Sequence, residues 1–101
     1  MAIKSFKHKG LKKFFYDGDT AGIQDNHLQK VGYILDAIDA SHHPKDLKSI
    51  YGNKFAEKKG SGAGVYSLEV NGNWHITFQI HDDGAVLVDY RDYHGKSIKA
   101  V

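Results

Sequence analysis

No cysteine occurs among the 101 residues, which excludes disulfides and thiolate metal sites and suits a reducing compartment. No apolar run approaches the ~18 residues of a membrane span. The opening Met-Ala-Ile-Lys-Ser-Phe-Lys-His-Lys has no apolar stretch of the signal-peptide kind. A cytoplasmic protein without a membrane partner is therefore expected. Arginine is nearly missing: Arg91 is the only one among 14 basic residues, so positive charge comes as lysine point charges rather than planar forks. The single proline, Pro44, marks a helix end, because the residue before a proline avoids the helical region. Internal repeats, linkers and heptads are absent. The glycine-rich run Lys59-Gly60-Ser61-Gly62-Ala63-Gly64 has no Gly-Lys-Ser/Thr and no helix after it, so it is not a phosphate-cradling P-loop. Adjacent loop histidines such as His42-His43 rarely converge on one ion without partners, and neither a metal site nor a cofactor is expected.

What is present fits one domain. A chain of this size with 41% hydrophobic residues can bury roughly 60–68% of the surface that its unfolded form exposes. Net charge is +2, but residues 1–16 hold five lysines and no acid, and residues 45–60 hold five against Asp46 and Glu57. Lysines facing water are commonly a solubilising face. Two basic segments on one side of a sheet would instead suit a phosphate backbone.

The most informative stretch is residues 71–94, NGNWHITFQIHDDGAVLVDYRDYH. Trp74, Ile76, Phe78 and Ile80 alternate with Asn73, His75, Thr77 and Gln79, the period-two pattern of a strand with one core face and one face free for chemistry. Asn71-Gly72 and Asp82-Asp83-Gly84 are turn signals. Residues 65–70, 73–80 and 85–90 should form an antiparallel meander, with a further strand over 53–58 and a short one over 2–6. Leu11, Phe14 and Phe15 have helical spacing, and Gly18 closes that helix. Leu28, Val31, Ile34, Leu35 and Ile38 form the stripe of a second helix, in which Gly32 suggests close packing against a neighbour. Pro44 starts a short turn through Leu47. The fold class is α+β: an N-terminal strand and two helices packed on a small antiparallel sheet. The sheet runs out into Asp92-Tyr93-His94, a carboxylate, a phenol and an imidazole. Read singly, His94 can be an imidazole ending a strand, Tyr90 and Tyr93 packing aromatics, and His75 a hydrogen-bonding partner of a neighbouring strand.

The strings Ala21-Gly22-Ile23-Gln24, Ile34-Leu35-Asp36-Ala37-Ile38-Asp39-Ala40, Gly72-Asn73-Trp74 with Ile76-Thr77-Phe78, and Val88-Asp89-Tyr90 with Asp92-Tyr93-His94 resemble the HigB branch of the RelE superfamily, the "killer" toxins of bacterial toxin–antitoxin systems. The likeness runs over residues 2–94 and defines one toxin domain, 1–94, followed by a short tail, 95–101. It implies a microbial-RNase-like fold and a ribosome-dependent endoribonuclease that cuts mRNA and needs no metal. The implied partners are the ribosome with bound mRNA and a HigA-like helix-turn-helix antitoxin, with operator DNA met only through that antitoxin. Asp92, Tyr93 and His94 fall on the family's C-terminal cluster. His75 is a fourth candidate catalytic residue, and Lys58, Lys59, Lys9, Lys12 and Lys13 are candidate phosphate contacts.

Two positions depart from the pattern. Ala56 stands where several members carry a histidine, and His75 stands where the usual string is Gly-Asn-Trp-Arg. Alanine has no acid–base capacity, and histidine gives up the bidentate fork and is charged only when protonated. The alternative expectation is therefore a catalytically weakened toxin acting as a binding module for antitoxin or ribosome.

Overall fold

The computed structural model describes residues 1–58 and 64–92. Three helices, α1 (Lys9–Asp17), α2 (Leu28–Ala40) and α3 (Pro44–Tyr51), precede a sheet of β1 (Phe55–Glu57), β2 (Tyr66–Asn71), β3 (Trp74–His81) and β4 (Gly84–Asp92). The strands pair antiparallel in chain order, the meander that alternation predicts.

Register explains the two faces. Phe55, Leu68, Ile76 and Tyr90 lie in one cross-strand row and all are buried. With Phe78 they meet Val31, Ile34, Leu35 and Ile38 of α2 and Leu47 of α3 in a single core. The next row, Ala56, Ser67, Thr77 and Asp89, points away from the helices. That face is less open than alternation implies, because Ser67 is 2% and Thr77 4% exposed.

Local chemistry sets the boundaries. Gly18 takes the left-handed conformation at φ 72°, and the amides of Gly18 and Asp19 donate to Phe14 (3.1 Å) and Lys13 (3.3 Å) carbonyls, a Schellman-type end. The β2–β3 turn is centred one residue later than the Asn-Gly signal. Asn71 pairs with Trp74, leaving Gly72-Asn73 as the loop, with Gly72 at φ 57° in the first central position that a type II′ hairpin reserves for glycine. Asp82 and Asp83, at φ 49° and 62°, form the second tight turn.

Three expectations change. Residues 44–51 form a full helix rather than a short turn, so among the described residues the sheet carries three helices, not two. The His43 Nδ1 atom accepts from the Lys45 amide at 3.1 Å, and the Asp46 carboxylate accepts from the His42 and His43 amides at 3.0 and 3.2 Å. These amides, His42 first, hold the Asp46 pKa below its usual value. His42-His43 is thus capping structure. The N-terminal strand reduces to two isolated parallel bridges, Ile3 with Ala85 and Phe6 with Val88. Between them β4 bulges at Leu87, which adopts φ 55°. The Leu87 amide turns off the ladder to the Ser5 hydroxyl at 2.9 Å, so a continuous strand cannot form beside it. Finally, Gly32 has ordinary room, since a Cβ there would lie 3.8 Å from the Phe14 ring. The tight approach is Gly10 against Gly22, where a Cβ on either would fall 2.7–2.8 Å from the other's Cα.

Candidate active site at the end of the sheet

The register of β3 and β4 sets Asp92, His75 and Arg91 at one end of the sheet but on its two faces. Asp92 is the last residue of β4 and lies opposite Trp74. His75 lies between Glu69 of β2 and Arg91 of β4, on the face away from the helices. The His75 Nδ1 atom is 2.9 Å from the Asn73 carbonyl, which orients the ring against the β2–β3 turn. The only arginine of the chain is therefore the cross-strand neighbour of the residue at which the arginine of the family string is missing. Its Nε lies 3.8 Å from Asp89 Oδ2, and 39% of its side chain is exposed. So long and partly solvated a pair holds the guanidinium loosely, leaving donors for an anion.

Ala56 lies on the same face, opposite Ser67, and Lys58 continues that strand by donating its amide to Val65 at 2.8 Å. The row of Glu57, Tyr66 and Phe78 is four β3 residues from Trp74, about 13 Å at the rise of a strand. Lys58 thus leaves the sheet well away from Asp92. Lys9, Lys12 and Lys13 are exposed on α1. Lys9 and Lys13 flank a cleft of about 230 Å³ walled by Gly10 and Gly22. α1 belongs to the helical layer, with Phe14 against Gly32, as does α3 with Lys45 and Lys48, whereas Lys58 lies at the end of β1. Lys59, Tyr93, His94 and the tail lie outside the described residues. Among the described residues no cluster of three or more His, Asp or Glu is arranged to hold a metal ion, and no helix is long and apolar enough to cross a membrane.

Two features escaped the sequence reading. Arg91 was visible only as the lone arginine, and its place beside His75 follows from register. The second is a buried polar pair, His27 with Tyr90. His27 falls between two helical patterns, where no periodicity marks it.

The family model for the RelE-like toxin of the type II toxin–antitoxin system HigB matches residues 4–94. The chain belongs to the HigB-like toxin family. It is 41% identical over 93 residues to the Endoribonuclease HigB of Proteus vulgaris, covering 91% of this chain and 99% of that protein. It is 30% identical over 95 residues to Toxin HigB-1 of Vibrio cholerae serotype O1, covering 93% and 98%. As a type II toxin it has an antitoxin partner, and the α+β fold expected from the sequence is the one observed.

Proposed function

We propose that this HigB-like toxin is an endoribonuclease that cuts ribosome-bound mRNA and is neutralised in the cytoplasm by a HigA-like helix-turn-helix antitoxin. The observation that carries the reading is the placing of cationic and carboxylate groups at one end of the sheet, His75 and Arg91 on one face and Asp92 on the other. Arg91 beside His75 supplies cationic groups, Asp92 supplies a carboxylate, and Tyr93-His94 follow it in the sequence. The relative named an endoribonuclease, matched over nearly its full length, supports the same activity. In the reaction the ribose 2′-oxygen forms a bond to the adjacent phosphorus, and the bond to the 5′-oxygen breaks. One group takes the 2′-proton, another returns a proton to the leaving oxygen, and cations stabilise the phosphorane between them. The Asp92-Tyr93-His94 run provides the proton-transfer groups. Arg91 and His75 face the charge, and a guanidinium can hold two phosphate oxygens at once.

Purified ribosomes programmed with a defined mRNA test this directly: primer extension should show new ends that depend on the toxin and on translation. Ala56 favours the second reading, a weakened toxin that binds antitoxin or ribosome without cutting. That protein would bind yet leave the mRNA intact.

Two expected outcomes follow from the cations. Replacing Lys9, Lys12, Lys13, Lys58 and Lys59 by alanine should flatten the salt dependence of ribosome binding, by about 0.7 in logarithmic slope for each lysine that contacts single-stranded RNA. Equal slopes in parent and variant would remove the lysines from the interface. His75→Arg should cut faster than the parent at neutral pH, because the guanidinium keeps its charge. The gain is read as the ratio of the two single-turnover cleavage rates at matched ribosome concentration. Equal rates for the two proteins would make His75 a structural residue.

A further inference from the structure

His27 stands at the N-cap of α2, where a short polar side chain ordinarily accepts a hydrogen bond from a free amide of the first turn, but its ring makes no such bond. It is only 2% exposed, and its Nδ1 lies 2.5 Å from the hydroxyl of Tyr90, 63 residues away in sequence. Tyr90 is itself 5% exposed. Burial raises its phenol pKa, with a backbone hydrogen bond from Gln24 pulling the other way. A phenol so placed keeps its proton at neutral pH and can donate it to an imidazole nitrogen.

The rings around this bond reach the end of the sheet. Trp74 lies 4.5 Å from Tyr90, centroid to centroid, and 5.8 Å from His27. His8, whose Nδ1 accepts from the Leu11 amide at the start of α1, sits edge-on to Tyr90 at 5.6 Å. Tyr90 pairs with Ile76 and Asp92 with Trp74, so Tyr90 and Asp92 are successive residues on one face of β4. The cluster therefore grips the last positions of the β3–β4 ladder, at an element end that would otherwise fray readily. Apolar side chains would fill such a site without fixing it, whereas a hydrogen bond between two buried groups holds both rings in one orientation.

We propose that His27, acting through Tyr90, is a positioning residue for the endoribonuclease site, fixing the end of β4 so that Asp92 meets RNA in one geometry. This rests on the reading that Asp92 belongs to the site. The test is single-turnover cleavage of a defined mRNA on purified ribosomes, with melting temperature recorded for each variant. His27→Phe and Tyr90→Phe remove the bond and keep the rings. Each should fold, bind ribosomes with the parent's half-saturating concentration, and cut about 10²-fold more slowly, the scale expected of small misplacement at a reacting centre. The double variant should lose no more than the worse single one. His27→Gln, whose amide oxygen can still accept, should recover most of the rate. In an Asp92→Asn background, Tyr90→Phe should add no further loss.

A pair that serves stability alone would lower the melting temperature and leave the rate below it untouched. Folded His27→Phe and Tyr90→Phe proteins cutting at the parent rate, with Asp92→Asn inactive, overturn the positioning role alone. If Asp92→Asn cuts like the parent, the site reading itself falls and takes this inference with it. Should the phenylalanine variants fail to fold, His27→Gln against His27→Leu offers the same contrast, and equal rates in the two overturn the proposal.

Discussion

Phe78→Ala is expected to lower the melting temperature of this toxin by on the order of 12–40 °C. Phe78 is 1% exposed in the middle of β3 and stacks on Tyr66 at 5.5 Å and 21°, while Tyr66 stacks in turn on Phe55 at 5.9 Å and 19°. These three side chains tie β1, β2 and β3 together on the core face. Truncating a buried phenylalanine costs about 3–5 kcal/mol through lost transfer energy and the cavity left behind. That is a large share of the roughly 5–15 kcal/mol holding a small domain together, and each kcal/mol moves the midpoint of a domain of this size by about 4–8 °C. Ile50→Ala is the control: at 62% exposure it should stay within about 0.5 kcal/mol of the parent. Thermal melts followed by circular dichroism compare the two. A Phe78→Ala midpoint within about 4 °C of the parent, under ~1 kcal/mol, would show that the stack does not hold the sheet.

The parts of the fold legible in the sequence are those in which one local signal decides. Trp74, Ile76, Phe78 and Ile80 mark β3 because a strand alternates its faces, and Gly18 ends α1 because a left-handed residue is cheapest as glycine. The helix α3 was missed because its cap is His43 with Asp46 rather than Ser, Thr, Asp or Asn at the N-cap. It also buries only Leu47, too little for an apolar stripe. The bulge at Leu87 carries no glycine to announce it. Its left-handed backbone is held by Ser5, which is 82 residues distant from it, a tertiary cause with no local trace. The same limit applied at the site. Parity alone put His75 on the face away from the helices, and Asp92 was found from the string around it. The neighbour of His75 depends on register, which a slip of one residue would invert, and β4 has a shift between Thr77 and Gln79 of its partner. Arg91 beside His75 and Tyr90 bonded to His27 could therefore be seen only with the strands paired.

Asp92→Asn should reduce mRNA cleavage by about 10²–10⁴-fold, the range for loss of a general acid or base, equivalent to about 2.7–5.4 kcal/mol in the barrier. Asparagine keeps the size of the side chain and removes the charge and proton affinity. Because Asp92 is half-buried opposite Trp74 at the end of β4, the volume must be conserved if a fall in rate is to report chemistry rather than a loosened strand. Asp89→Asn on the same strand is the comparison that isolates position. Asp89 meets Arg91 only at 3.8 Å in a partly exposed pair, of the kind that contributes about 0–1 kcal/mol, and that variant should cut at close to the parent rate. Both proteins should still capture the cognate antitoxin, which confirms that each is folded. The readout is single-turnover cleavage at a saturating concentration of programmed ribosomes, so that weaker binding cannot imitate slower chemistry. Parent-like cutting by Asp92→Asn would move the proton transfers away from the end of β4. The next place to look would be the face that carries His75 and Arg91, where Glu69 stands in the same cross-strand row.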